Sequence, residues 1–197
     1  MEQKYADLSW DYAARLLAID SPSGFTAKAA QWVYDQFTAL GYDANLTVKG
    51  GVLVDLGGEN NQNGLLLEAH TDTLGCMVSQ VKGSGRLKLV NLGGMNANNA
   101  ETENVRVYTR GGAVYEGTLQ LCNPSIHVNG SYSDAKRSWD SVEVVLDEDV
   151  KSADDCRKLG IQVGDIVCFD PRTKRTQQGY LKSRFLDDKL SVGILLG

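Results

Sequence analysis

The stretch "GLLLEAHTDTLGCMV", residues 64–78, decides how the rest of the chain is read. Leu65, Leu66 and Leu67 form an apolar run of the kind that fills an interior strand covered on both faces, which predicts a strand of an α/β sheet. His70 and Asp72 follow where such a strand releases its chain, the usual place for ligand-binding groups in open α/β sheets. Two positions apart, their side chains point the same way in extended backbone. Neutral imidazole is the commonest metal ligand, and a carboxylate beside it can orient the ring. A strand end capped by a hydrogen-bonded histidine is the competing structural reading. The triplet alone does not choose between them.

Upstream, Leu8, Tyr12, Leu16 and Ile19 recur at helical spacing, and the turn "SPSG" at 21–24 should stop that helix. Ala30, Val33, Phe37 and Leu40 line one face of a second helix, with Gly41 placed as its C-terminal stop. The segment "NLTVKGGVLVDLGG" then reads as a hairpin of strands 46–48 and 52–56 turning at Gly50 and Gly51. Two helices, a hairpin and an apolar strand make an α/β beginning.

Downstream of Gly75 the texture changes. Short alternating segments at 86–90, 104–109, 114–121, 141–146 and 165–169 are separated by glycine turns such as Gly93-Gly94 and Gly111-Gly112. Many short strands at even spacing predict a small β-barrel or sandwich, with one short helix at 153–161. Near Tyr180 the pattern reverts, and "FLDDKLSVGILLG" reads as a loop entering an apolar helix. The expected organisation is an α/β domain over 1–75, an inserted β-barrel over 76–175, and the α/β domain resumed over 176–197.

Composition narrows the function classes. The 197 residues are 42% hydrophobic and 23% charged, ordinary for a globular protein. A net charge of -5 carries no basic footprint, so no nucleic acid is expected as a partner. No apolar run reaches the length of a membrane span, so no membrane is expected either. The opening "MEQKYADLSWDYAARLL" is charged and amphipathic rather than a signal peptide, and a cytoplasmic protein is the expectation. Cys76, Cys122, Cys156 and Cys168 are scattered without C-x-x-C spacing, which predicts reduced, structural thiols rather than a cysteine zinc site.

Asp187-Asp188 is the second constellation. Adjacent carboxylates before an apolar helix can cap it and favour its positive end. Alternatively, one of them can lie across two divalent ions in a site that activates water. His127, in "NPSIHV", has no acidic neighbour and reads as structural or as part of an interface. Phosphate loops and a G-x-S-x-G elbow are absent.

At these residues the chain resembles the glutamyl, deblocking or tetrahedral aminopeptidases, dinuclear metallopeptidases sometimes labelled cellulases or endoglucanases. "HTDTLGCMV" matches the family's histidine-aspartate stretch. "SPSG", "NVRVYTRGGAVYEGTLQL", "PSIHV", "KLGIQVGDIVCFDP" and "FLDDK" follow in order across nearly the whole chain. The resemblance implies a zinc-peptidase-like α/β catalytic domain with an inserted small β-barrel, two divalent metal ions (zinc or cobalt), and peptide substrates. It implies His70 as ligand of one metal, Asp187 as the bridge between both, and Asp72 as the catalytic-site carboxylate that steadies His70. It further implies a cis peptide between Asp187 and Asp188 and a homo-oligomer formed through the inserted domain.

Thr73 stands where the family usually has glutamate, and Lys189 where arginine is common. The resemblance also implies a Glu-Glu pair, a further aspartate and a distant histidine that these 197 residues do not contain. The expectation is the N-terminal portion of a longer metal-dependent aminopeptidase, inactive by itself. The alternative is a non-catalytic truncated homologue acting as an oligomerisation and assembly module.

Overall fold

Helix α1 (Gln3–Leu17) and helix α2 (Ala27–Ala39) form where the apolar spacing predicts them. Ala13, Leu16 and Leu17 of α1, and Ala29, Ala30, Val33 and Phe37 of α2, turn one face of each helix into the core. The end of α2 is fixed by Gly41, whose φ is 90°. Its N–H donates to the Thr38 carbonyl at 3.0 Å, and that of Tyr42 to the Phe37 carbonyl at 3.1 Å. This double closure satisfies two of the helix's last carbonyls and needs left-handed backbone, which glycine adopts without a Cβ clash. Strands β1 (Asp43–Leu46) and β2 (Val52–Asp55) pair antiparallel, with Leu46 opposite Val52.

The computed structural model describes residues 2–60 and 62–197. Over these, the chain divides into two compact units, Met1–Thr73 with Pro171–Gly197, and Leu74–Asp170. The architecture is mixed α/β with a closed six-stranded barrel.

One expectation fails in the first unit. Leu65, Leu66 and Leu67 form no strand, and they are 85%, 74% and 55% exposed. A strand exists only through ladder hydrogen bonds to a neighbour. The one sheet near them in sequence is the two-stranded β1–β2 hairpin, and it does not extend to them. The run is therefore without a strand partner among the described residues. It forms one wall of an open groove of about 1120 Å³ whose other wall includes Val33, Phe37 and Leu195.

The second unit is the barrel. Strands β3 (Gly75–Val81), β4 (Leu87–Leu92), β5 (Asn104–Tyr108), β6 (Val114–Leu121), β7 (Val142–Leu146) and β8 (Ile166–Phe169) close in the order β3-β4-β7-β6-β5-β8. All neighbours are antiparallel. Alternate residues fill the interior, among them Val78, Leu89, Val107, Leu119, Val144 and Phe169, all nearly inaccessible. Helix α3 (Ala153–Lys158) is capped by the Ser152 hydroxyl, which accepts from the Asp155 N–H.

Glu143 on β7 is 3% exposed and receives Lys82 Nζ at 2.7 Å and an Arg86 guanidinium nitrogen at 2.5 Å. Burial pushes its carboxyl up, but the two cations more than offset this and hold it below its ordinary value. All four cysteines are free, and burial pushes the Cys76 thiol up to about 12.

The chain returns to the first unit through a short hairpin, β9 (Lys174–Arg175) with β10 (Leu181–Lys182), and ends in helix α4 (Leu186–Leu196). α4 packs along α1. A Cβ on Gly193 would meet the Ala13 Cβ at 2.7 Å and the Ser9 carbonyl at 2.8 Å, so the two helices touch backbone to backbone there. Lys189 of α4, 1% exposed, donates to the Leu16 carbonyl at 3.1 Å and the Ile19 carbonyl at 2.5 Å, at and just beyond the end of α1.

Candidate functional site

His70 and Asp187 meet. His70 Nε2 lies 3.1 Å from Asp187 Oδ1, although 117 positions separate them in sequence. Each is delivered by irregular backbone. His70 lies in the segment without regular structure after the leucine run, and Asp187 lies at the head of α4, where φ of -85° and ψ of 104° depart from helical values. The peptide between Asp187 and Asp188 is cis, as the resemblance implies. The Asp187 side chain is 94% exposed, so its carboxylate is open to an incoming ion.

Asp72 turns back on the same imidazole. His70 Nδ1 lies 3.1 Å from Asp72 Oδ1 and 3.2 Å from the Asp72 carbonyl. The other carboxylate oxygen, Oδ2, accepts from the Ser23 hydroxyl at 2.5 Å. Both ring nitrogens thus face oxygen acceptors, while a neutral imidazole carries a single N–H. If that proton is on Nδ1, toward Asp72, the Nε2 lone pair faces an anionic oxygen. Such a contact is completed by a second proton or by a cation. A nitrogen and a carboxylate oxygen facing one point suit a divalent transition metal in donor type. In number they are incomplete, since among the described residues no group of three or more histidine, cysteine, aspartate or glutamate side chains could hold a metal ion.

The segment carrying Asp72 is anchored to the turn after α1. Thr73 N–H donates to the Ser21 carbonyl at 2.8 Å, Ser23 N–H to the Thr73 carbonyl at 3.3 Å, and the Ser21 hydroxyl to the Thr71 carbonyl at 2.7 Å. Pro22 and Thr73 form a parallel bridge. Sequence reasoning treats "SPSG" as a helix stop and a family motif and misses these supports. No local signal marks them, because Ser23 and Asp72 are 49 positions apart. His127 lies exposed in a turn of the barrel unit, and Asp188 is partly exposed at the head of α4.

Residues 50–197 match the family model of the M42 glutamyl aminopeptidases. The Bacillus subtilis protein "Putative aminopeptidase YhfE" is 39% identical over 92% of this chain and 52% of its own length. The lysyl aminopeptidase of Pyrococcus furiosus is 22% identical over 94% of this chain and 52% of its own length. Among solved structures, an aminopeptidase from the archaeon Desulfurococcus kamchatkensis superposes with a TM-score of 0.84 at 23% identity, covering 98% of this chain and 51% of that one. The chain spans about half the length of the relatives it matches. With three quarters of its residues inside the family model, it belongs to the M42 glutamyl aminopeptidase family.

Proposed function

We propose that this sequence is the N-terminal portion of a metal-dependent aminopeptidase that removes N-terminal residues from peptides. The observation that carries the reading is the 3.1 Å approach of His70 Nε2 to Asp187 Oδ1 in a chain of this family. His70 would hold one ion through Nε2, and Asp187 would bridge two. Asp72 would keep the proton on Nδ1 and so hold the ring in the metal-binding tautomer. Two divalent ions, zinc or cobalt, would when bound polarise the scissile carbonyl and activate water at neutral pH. The donor set of one imidazole nitrogen and one carboxylate supports those metals over calcium or magnesium. No Glu-Glu pair occurs in these 197 residues, so the general base of the implied mechanism is not among them.

The test is incubation of a chain of the relatives' length with zinc, cobalt or manganese and a panel of aminoacyl chromogenic substrates. Turnover that disappears with chelator and in His70→Ala supports the reading. A folded, metal-loaded protein that turns over nothing in the panel overturns it.

A second reading, a non-catalytic assembly module, is favoured by the shortage of ligands among the described residues. We also propose that the barrel unit makes a homo-oligomeric contact. Support comes from a relative in structure, the TET1 peptidase of Pyrococcus horikoshii, described as assembling into a tetrahedron or a large octahedral shell. A cytoplasmic setting is supported by four free cysteines. Among the described residues no helix is long and apolar enough to cross a membrane.

A further inference from the structure

The direct contact between His70 and Asp187 is an exposed one, with the side chains 53% and 94% accessible. Exposed pairs of this kind contribute little, and one of them does not hold two distant segments in register. Something else sets the distance.

Residues 19–23 touch both halves of the site. On one side, the buried ammonium of Lys189, two residues beyond Asp187, donates to the carbonyls of Ile19 at 2.5 Å and Leu16 at 3.1 Å. On the other side, Ser21 exchanges hydrogen bonds with Thr71 and Thr73, and the Ser23 hydroxyl donates to Asp72 Oδ2 at 2.5 Å. Ser21 is fully buried and Thr73 nearly so. The end of α1 and the turn after it therefore form a bracket five residues long. Lys189 keys the Asp187 segment into it, and the serines key the His70–Asp72 segment. The close approach of Gly193 to Ala13 and Ser9 fixes the register of α4 along α1 by independent means.

We infer that Lys189, Ser21 and Ser23 are positioning residues for the His70–Asp187 site, acting through the bracket at 19–23 and not as ligands. Lys189 joins the Asp187 segment to the end of α1 because its ammonium, with three donors, reaches the carbonyls of Leu16 and Ile19 together. Ser23 acts through Asp72, since occupying Oδ2 leaves Oδ1 turned toward Nδ1 of His70. Groups that orient a ligating histidine from outside typically change metal affinity about 10–100-fold when removed. The inference rests on the metal reading of the site, so its test carries one readout that needs no metal.

The experiment uses a chain of the relatives' length and its variants Lys189→Met, Lys189→Arg and Ser23→Ala. Cobalt(II) uptake is followed by visible absorption, whose band shape reports ligand geometry. The ring-nitrogen NMR shifts of His70 are recorded without metal. The expected result is cobalt affinity lowered about tenfold or more in Lys189→Met and Ser23→Ala with an altered band shape. His70 shifts should move in both variants, and Lys189→Arg, the residue common in the family here, should restore both readouts. Ser23→Ala decides the matter if Lys189→Met does not fold, because Ser23 lies on an accessible turn.

Folded variants with the parent's affinity, band shape and His70 shifts overturn the bracket while leaving the metal reading in place. A parent chain that takes up no cobalt, with His70 shifts that still move in the variants, removes the metal reading while the bracket stands.

Discussion

His70 and Asp187 lie 3.1 Å apart, nitrogen to oxygen, and Asp72 closes on the opposite nitrogen of the same ring at 3.1 Å. One imidazole is thereby held between two carboxylates. That arrangement attracts a cation.

Removing the orienting acid should weaken metal binding without unfolding the chain. Asp72→Ala frees the ring to rotate and to carry its proton on either nitrogen, for an expected loss of about 10–100-fold in zinc or cobalt affinity. Calorimetric titration beside thermal denaturation checks this. Equal affinity in the folded variant would remove Asp72 from the site.

The 197-residue chain should be catalytically silent. His70 and Asp187 are two protein ligands, whereas a catalytic zinc takes three with water in the fourth place. A missing general base alone forfeits a factor of roughly 10²–10⁴. Turnover by the purified chain, lost in His70→Ala, would defeat this ligand count.

Gly193→Ala should destabilise the first unit by about 1–3 kcal/mol, the usual range for forcing an extra carbon into a filled contact. Its Cβ would stand 2.7 Å from both the Cβ and the backbone nitrogen of Ala13, and neither can rotate away. Urea unfolding measures the loss. If α4 also carries Asp187 into place, cobalt affinity should fall with it.

The barrel should lose stability in acid through Glu143. Its carboxyl titrates below the ordinary value of 4.5 because Lys82 and Arg86 outweigh the effect of burial. A depressed folded value means that the stabilisation is complete above about 4.5 and is lost as pH falls through the folded pKa. Lys82 is raised above 10.5 chiefly by the same hydrogen bond, so its share persists below that value and is lost at higher pH. Glu143→Gln should flatten the acid limb of a stability-against-pH curve. An unchanged limb would show that the pair contributes nothing.

Deleting the barrel unit should yield a protein that no longer assembles. Light scattering of full and deleted chains reads this directly, and an unchanged particle mass would dismiss the assembly role.

What the sequence determined by itself are the elements whose signals are local. The 3.6-residue period at Leu8, Tyr12 and Leu16 marks α1, and Ala30, Val33 and Phe37 mark α2. Gly41 stops α2 because a double closure at that point needs a positive φ. Alternation marks β5 to β8 to within a residue or two. β3 is harder to see, since its inward residues Cys76 and Val78 merge with the apolar tail of the histidine motif. The family likeness, carried by motifs in order, names His70, Asp72 and Asp187 and implies that Asp72 steadies His70 and that His70 and Asp187 share a metal cluster, but it gives none of the hydrogen bonds that support them.

Only the tertiary structure decided what depends on a distant partner. Leu65, Leu66 and Leu67 have the composition of a buried strand, yet strand formation is a property of two chains side by side. No described strand pairs with them. Ser23 against Asp72, and Lys189 against the end of α1, have no sequence signature, because a hydroxyl or an ammonium declares its acceptor only once the backbone has brought the acceptor within about 3 Å. Local periodicity is encoded by neighbours in the chain, but the 3.1 Å geometry of a site joined across 117 positions depends on the packing of α4 on α1 and exists only when that packing does.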